Sequence, residues 1–155
     1  MVKVNAVEFR HDRLSRKPTK GLIALGSMND CHLPLEHYIQ LTPRAMAVIA
    51  DFGFPVPLLT QSDLALRDMA IFQRIQRRAR AVASFTITAA DDELAREPVA
   101  PPSSARFAAM AQLTEARIET GVIRMPILAF IGDTLENVTA IVTRAAAAGA
   151  KQIVP

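Results

Sequence analysis

The chain has few of the residues that build disulfides and metal clusters. Its 155 residues include one cysteine, Cys31, one tyrosine and no tryptophan. A single cysteine excludes an internal disulfide, and it excludes any cluster or zinc site that needs several thiolates from this chain alone. No run approaches the roughly 20 apolar residues that cross a bilayer, and residues 1–20 lack the apolar core of a secretory signal. We therefore expect a cytoplasmic protein with no membrane span.

Composition places the chain among ordinary globular domains. Half of the residues are hydrophobic and 21% are charged, which suits one domain that buries roughly 70% of its unfolded surface. The net charge of +3 is unevenly spread, since basic residues concentrate in residues 1–20 and in the run Arg74–Arg80. Nucleic-acid binding is one interpretation of such runs, although solvated helix faces explain them more often. We divide the chain into a basic N-terminal segment, residues 1–20, and a core, residues 21–155.

Short apolar runs alternate with longer segments of helical period, which is the pattern of βα units. Strands are predicted at Leu22–Leu25, near Val56–Thr60, in "AVASFTIT" from Ala81, in "GVIRMPILAFIG" from Gly121 and in "KQIVP" from Lys151. The helices between them have predicted N-caps at Thr42, at Ser62, at Ser103 or Ser104, and at Asp133, the last with Glu136 in a capping box. Gly53 and Gly149 end the first and the last of these helices. A proline-rich loop, Ala95–Ser104, precedes the third helix.

The order (βα)4β predicts an α/β fold with a parallel sheet. Right-handed crossovers place all four helices on one side if the sheet curls, or on both sides if the strand order reverses, and periodicity does not separate the two. In both arrangements ligands meet the loops at the carboxyl ends of the strands. The polar side chains expected there are Ser27, Asn29, Asp30, Thr60, Gln61, Ser62, Thr86, Thr88 and Asp133.

Two other interpretations of the polar residues are weaker. Cys31, His32 and His37 are of the types that bind zinc, but one thiolate and two histidines without a fourth partner are more often surface residues. A small doubly wound phosphate-binding domain ranks last, because the sequence has no Gly-rich loop of the dinucleotide or P-loop type.

Several stretches, in order and over nearly the whole chain, carry a resemblance to a known family. They are "KVNA" from Lys3, "IALGSMND" followed by "LPLE" through Glu36, "ADFGFPVPLLTQSDLALRD" from Ala50 to Asp68, "SFTIT" then "DDELAREP", and "GVIRMPILAFIGDTLENVTAIV" with "AAAGAKQI". This ordered set resembles the radical SAM proteins related to spore photoproduct lyase. The resemblance implies a partial TIM-like barrel, here a (βα)4β fragment whose parallel sheet carries its helices on the outer face.

The resemblance also implies a cofactor chemistry. Family members hold a [4Fe–4S] cluster with three cysteines of a CxxxCxxC loop, and the cluster cleaves S-adenosylmethionine to a 5′-deoxyadenosyl radical. This sequence has one cysteine and no such loop, so we expect a fragment or truncation of the barrel core, inactive alone. Cys31 and His32 stand where the family usually has Pro-Tyr and are not carried over as functional residues. The alternative is a non-catalytic remnant that binds a ligand or a partner.

The family pattern assigns S-adenosylmethionine contacts to three groups of residues. The amino group of the cofactor would meet Gly26, Ser27 and Met28; its ribose or carboxylate would meet Ser84 and Thr86; its adenine would pack on Met125, Pro126 and Ile127. Two positions depart from the pattern, since Gln61 stands where a lysine is common and Arg117 where a helix-ending glycine is expected. A barrel without its first unit would expose the edge at Leu22–Leu25, which predicts self-association.

Overall fold

A computed structural model describes residues 5–95, 100–130 and 132–155 of the chain. Within these ranges the helices are α1 (Ala6–Ser15), α2 (Glu36–Ile39), α3 (Leu41–Phe52), α4 (Met69–Gln76), α5 (Ser103–Glu115) and α6 (Leu135–Ala147). The strands are β1 (Val56–Thr60), β2 (Ala81–Thr86), β3 (Glu119–Ile123) and β4 (Gln152–Val154), and a 3₁₀ helix over Asp63–Asp68 precedes α4. No helix in the described ranges has the length and apolar character to cross a membrane. The predicted proline-rich loop includes residues 96–99, which lie outside the described residues.

The four strands form one parallel sheet in the order β1-β2-β3-β4. The predicted α/β class and parallel sheet are therefore confirmed. Because the spatial order follows the chain order, these strands show no reversal of the doubly wound kind. Right-handed crossovers in such a sheet place the connecting helices on one face. The sheet is open, with β1 and β4 at its two ends.

Helices α3, α4, α5 and α6 pack on one face of the sheet, and β2 shows how the two faces divide. Ala81, Ala83 and Phe85 are fully buried in a cluster with residues of α3, α4, α5 and α6. The alternate side chains of β2, among them Ser84 and Thr86, lie on the opposite face, which we call the second face. β2 is buried throughout, as a central parallel strand should be. The large fully buried apolar residues are Met46, Ile49, Leu58, Phe72, Ile75, Phe85, Ile87, Met110, Leu113, Ile118 and Ile141.

The predicted strand at Leu22–Leu25 is wrong, because only Leu25 pairs, in a single parallel bridge with Leu58. Leu25 donates its N–H to the Pro57 carbonyl at 3.0 Å and accepts from the Leu59 N–H at 2.9 Å. Ile23 likewise donates to the carbonyl of Pro55, but Pro57 has no N–H to donate back to Ile23. One proline therefore reduces a potential strand to one bridge, and the sheet has four strands instead of five.

Three of the predicted N-caps are wrong because other side chains fill the role. α3 begins at Leu41, and the Thr42 N–H donates to the Glu36 carboxylate at 3.0 Å. At α5, both the N–H and the hydroxyl of Ser104 donate to Asp92, at 2.8 and 2.6 Å. The hydroxyl of Ser103 donates instead to the Ala89 carbonyl, and Thr134, not Asp133 with Glu136, caps α6 by accepting from the Asn137 N–H.

The predicted helix boundaries at Ser62, Gly53 and Gly149 are confirmed, whereas β3 starts at a different residue. The Ser62 hydroxyl accepts from the Leu64 N–H and caps the 3₁₀ helix that leads into α4. Gly53 and Gly149 follow α3 and α6 with φ of 66° and 82°. β3 begins at Glu119 and ends at Ile123, two residues earlier than predicted at its start and before Pro126 at its end.

α1 lies within residues 1–20, where the sequence predicted only a basic segment. Its Leu14 is buried and belongs to the main hydrophobic cluster, and the helix packs on α3. On its exposed side the Arg13 guanidinium lies 5.0 Å from the ring centre of Phe9. The proposed division of the chain at residue 20 stays a prediction.

Gly26 follows the single bridge at Leu25, and a substitution there tests whether the chain needs a glycine at this position. Its φ is 81°, and a Cβ there would overlap the backbone carbonyl of Leu59. We expect Gly26→Ala to lower the free energy of unfolding by about 3 kcal/mol, since backbone strain and overlap add. Gly53→Ala is the control: its φ is also positive, but the nearest atom is the flexible Lys20 Nζ at 3.1 Å, so about 1 kcal/mol is expected. Equal losses in urea denaturation would contradict this.

Candidate functional site

The loop after Leu25 is fixed to the carboxyl end of β1 by one carboxylate. Asp30 accepts hydrogen bonds from the Thr60 hydroxyl at 2.7 Å, the Gln61 N–H at 2.6 Å and the His32 N–H at 2.8 Å. The Thr60 hydroxyl oxygen accepts in turn from the Ser62 N–H at 3.0 Å. Asp30, Thr60, Gln61 and Ser62, predicted only as polar groups at two strand ends, are thus one hydrogen-bonded unit.

This unit borders a cavity of about 170 Å³ at the carboxyl edge of the sheet. The cavity is lined by Gly26, Ser27, Met28, Asn29, Asp30, Leu59, Thr60, Gln61 and Thr86. The lining includes four of the eight residues predicted to contact S-adenosylmethionine: Gly26, Ser27, Met28 and Thr86. Ser84 lies on the same face of β2, paired with Leu59 on one side and Gly121 on the other.

The other predicted contacts lie apart from this cavity. Met125, Pro126 and Ile127 follow β3, are exposed and do not line it. Asp133 is exposed ahead of α6. The structure therefore brings the first predicted group together with Thr86, and it leaves the adenine-packing group outside.

The loops after β2 and β3 depend on Asn137, a residue that the sequence analysis did not single out. Its side-chain carbonyl accepts from the Ala90 N–H at 2.9 Å, and its amide donates to the carbonyls of Thr88 and Gly132 at 3.0 and 3.1 Å. Arg124 also donates to the Gly132 carbonyl, at 2.8 Å. Of Thr88, a predicted site residue, it is the backbone carbonyl that Asn137 contacts. The sequence does place an amide side chain in the first turn of α6, and such a side chain can hydrogen-bond the backbone of neighbouring loops.

A buried charged network lies on the other side of Asp30. His32 Nε2 and Asp68 Oδ2 are 2.9 Å apart, with the two side chains 0% and 1% exposed. Arg67 donates to both Asp68 oxygens, at 2.8 and 3.1 Å, and to the Glu36 carbonyl at 2.8 Å. Burial raises the pKa of Asp68, but the hydrogen bonds from His32 and Arg67 outweigh it and hold that pKa below its ordinary value.

Asp68 could have been found from the sequence. Ala65, Asp68, Phe72 and Ile75 recur at helical spacing, and all four are buried. A carboxylate inside an apolar stripe needs a buried partner, and the stripe therefore signals an ionic contact. Arg67 and His32 supply that contact.

Cys31 lies beside this network but is poorly suited to act as a nucleophile. Its Sγ is 3.8 Å from His32 Nδ1, and the row Cys31–His32–Asp68 has the layout of a thiol with an oriented base. Burial, with repulsion from Asp30 second, raises the pKa of the thiol to about 12. The thiolate is the reactive form. Cys31 therefore has a histidine beside it, as a nucleophilic cysteine does, but lacks the lowered pKa that would make it reactive. His37, grouped with Cys31 and His32 in the sequence analysis, is exposed on α2 and does not join them.

The second basic run is largely engaged by neighbouring acceptors. Arg74 pairs with the Asp51 carboxylate, and Arg78 donates to the Asp51 carbonyl at 3.1 Å. Arg80 pairs with Glu119. These contacts favour a structural role for the run, and nucleic-acid binding stays a prediction.

The fold and the cavity define an α/β protein with an open parallel sheet and a polar site at its carboxyl edge. A scan of protein-family models finds no match. An uncharacterized protein of Mycobacterium tuberculosis is 27% identical over 153 residues, which is 97% of this chain and 45% of that protein. An uncharacterized protein of Methanocaldococcus jannaschii is 30% identical over 119 residues, or 76% of this chain and 44% of that protein. The chain thus spans less than half the length of these relatives.

Burial of the Cys31 thiol predicts slow alkylation. A pKa of about 12 instead of 9.0 lowers the thiolate fraction at pH 8 by about 1000-fold, which the greater nucleophilicity of a more basic thiolate partly offsets, leaving roughly 40-fold. We expect iodoacetamide to modify the native chain at least that much more slowly than the same chain unfolded in urea. Equal rates in the two states would show an accessible, ordinary thiol.

The lowered pKa of Asp68 predicts a pH-dependent stability. Its ordinary value is 3.8, so the unfolded chain binds the proton first, and the stabilisation is present above about pH 4 and lost as the pH falls further. Asp68→Asn should lower the free energy of unfolding by about 2 kcal/mol at pH 7, because a buried charged partner is removed. Denaturation at pH 7 and pH 3 should show this difference shrinking in acid. A difference that stays constant would contradict it.

Proposed function

We propose that this chain forms part of a radical SAM barrel core, similar to the proteins related to spore photoproduct lyase, and that the carboxyl edge of its sheet binds S-adenosylmethionine. One observation carries the proposal: Gly26, Ser27, Met28 and Thr86, selected from the sequence resemblance, line one cavity. This edge is where parallel βα folds bind their ligands. The chain-order sheet with helices on one face supports the arc of a partial TIM-like barrel.

The chemistry of the cavity fits one end of the proposed ligand. Its volume of about 170 Å³ is smaller than the roughly 300 Å³ at which pockets for whole cofactors begin, so it would take the amino-acid end and leave the nucleoside over the second face. There the hydroxyls of Ser84 and Thr86 have no hydrogen-bond partner among the residues that the structure describes, and they are available to a polar ligand. Gln61 offers no charge to the ligand carboxylate, which predicts weak binding.

The iron–sulfur cluster of the family does not fit the residues of this chain. Three thiolates are needed to hold it, and these 155 residues contain one cysteine. No catalytic step therefore follows from the chain itself. The role that the geometry supports is to bind and orient the cofactor, with Asp30 fixing the loop and Thr86 contacting the ligand.

The second candidate is a non-catalytic module that binds a ligand or partner at the same cavity. The single cysteine favours it, because binding at Gly26, Ser27, Met28 and Thr86 needs no cluster. The two candidates differ in whether the chain works as part of a larger catalytic assembly or by itself.

Binding of S-adenosylhomocysteine, an unreactive relative of the cofactor, tests the proposed cavity. Titration into the isotope-labelled chain should shift amide resonances of residues 26–30 and 84–86. Thr86→Val should weaken binding by roughly fivefold, as expected for the loss of one hydrogen bond. The matched control is Thr143→Val, on the exposed side of α6, which should leave the affinity unchanged.

Two results would contradict this proposal. Resonance shifts confined to other regions, or equal affinities of the two threonine variants, would remove the cavity from consideration. Anaerobic iron–sulfur reconstitution tests a premise that both candidates share: the chain should take up no stoichiometric [4Fe–4S] cluster. A stable cluster would contradict the conclusion that a chain with one cysteine does not hold it.

A further inference from the structure

We propose that Asp30, Cys31 and His32 form a binding site for one divalent transition-metal ion of the zinc class. A carboxylate oxygen, the Cys31 Sγ and a ring nitrogen of His32 all lie within 4.8 Å of one another. The sulfur and His32 Nδ1 are 3.8 Å apart. Zinc bonds of about 2.3 Å to sulfur and 2.0 Å to nitrogen place such ligands about 3.5 Å apart in a tetrahedron. A shift of a few tenths of an ångström would thus bring both atoms onto one ion.

The buried partner of His32 supplies an independent reason for this assignment. Asp68 lies 2.9 Å from Nε2 and receives two hydrogen bonds from Arg67, so its carboxylate acts as an acceptor and Nε2 carries the proton. In the neutral imidazole Nδ1 then presents its lone pair toward Cys31. Metal-binding histidines characteristically donate their other ring N–H to a carboxylate in this way. The orientation of His32 is therefore already that of a ligand.

Asp30 is held in a position to complete the set. Its Oδ1 accepts from Thr60 and from the His32 N–H, whereas Oδ2 accepts one hydrogen bond from the described part of the chain, that of the Gln61 N–H. A carboxylate oxygen accepts about two such bonds, and Oδ2 therefore keeps a lone pair for the ion. The hydrogen bonds that anchor the loop also remove the freedom that the carboxylate would lose on binding a metal.

The donor set selects the class of ion. A thiolate and an imidazole favour zinc, cobalt or nickel over the oxygen-preferring magnesium and calcium. Three protein donors leave one position of a tetrahedron for water or another ligand, the arrangement of zinc sites with an open position. Metal binding converts the Cys31 thiol to a thiolate, so the ion would change both the charge and the chemistry of the loop. Asp30 also lines the proposed cofactor cavity, but the metal site depends on neither S-adenosylmethionine nor Thr86 and does not rest on the proposed function.

Cobalt(II), which replaces zinc and reports its ligands by absorption, provides the test. Added to the metal-free full chain, it should give a thiolate-to-cobalt charge-transfer band that saturates at one equivalent and is abolished by excess zinc. Cys31→Ser should remove the band. Asp68→Asn, a positioning variant that keeps an acceptor beside His32, should keep the band but weaken the affinity roughly 10- to 100-fold. His37→Ala is the matched control, since His37 is a nearby exposed histidine, and it should change nothing.

Three outcomes would overturn the metal site. They are a titration without a charge-transfer band, a band that survives Cys31→Ser, and a band lost as readily in His37→Ala as in Cys31→Ser. Circular dichroism checks that each variant is folded, and thermal unfolding gives a second measurement: zinc should raise the midpoint of the native chain and of His37→Ala but not of Cys31→Ser. S-adenosylhomocysteine binding by Thr86→Val and Thr143→Val is unaffected by this result, so the two proposals fail separately.

Discussion

The carboxylate of Asp30 is the contact on which both candidate sites depend. It joins the loop after Leu25 to the end of β1 by accepting from Thr60 and Gln61, and it turns the backbone at His32. On one side of it lies the cavity at the sheet edge, and on the other lies the buried His32–Asp68 pair. Three short hydrogen bonds to one charged acceptor are stronger than their neutral equivalents. The loop is accordingly a fixed part of the sheet edge, although it contains almost no regular structure.

The features that followed from the sequence were those decided by neighbouring residues. The continuous burial of β2 follows from its small and apolar side chains, and the end of α3 at Gly53 needs only a residue that adopts a positive φ. Ser62 caps the next helical segment from two positions away. One feature that joins distant residues was anticipated as well: Ser27 and Thr86 line one cavity, as expected because the ends of parallel strands share an edge.

The features that the sequence analysis missed depend on residues distant along the chain. Asp92 caps α5 from 12 positions before Ser104, and Glu36 takes the N–H of Thr42 from the preceding helix. Sequence rules for helix starts choose a nearby hydroxyl as the N-cap. They do not predict that the folded chain brings a carboxylate from an earlier segment to the same N–H groups. Similarly, the contact of Asp68 with His32 spans 36 residues. The periodicity located the helix that carries Asp68 but not the histidine that faces it.

Pro57 in β1 and Pro55 just before it affect the outer edge of the sheet. Pro55, Pro57 and Leu59 direct their backbone groups away from β2, and of these only Leu59 has an N–H. A strand of another molecule that displaced the Leu22–Leu25 segment would therefore find three carbonyl acceptors and a single donor. Edges with so few donors are poor templates for strand addition. If copies of this chain associate, their contact would come from apolar side chains, and growth into a continuous intermolecular sheet is disfavoured at this end.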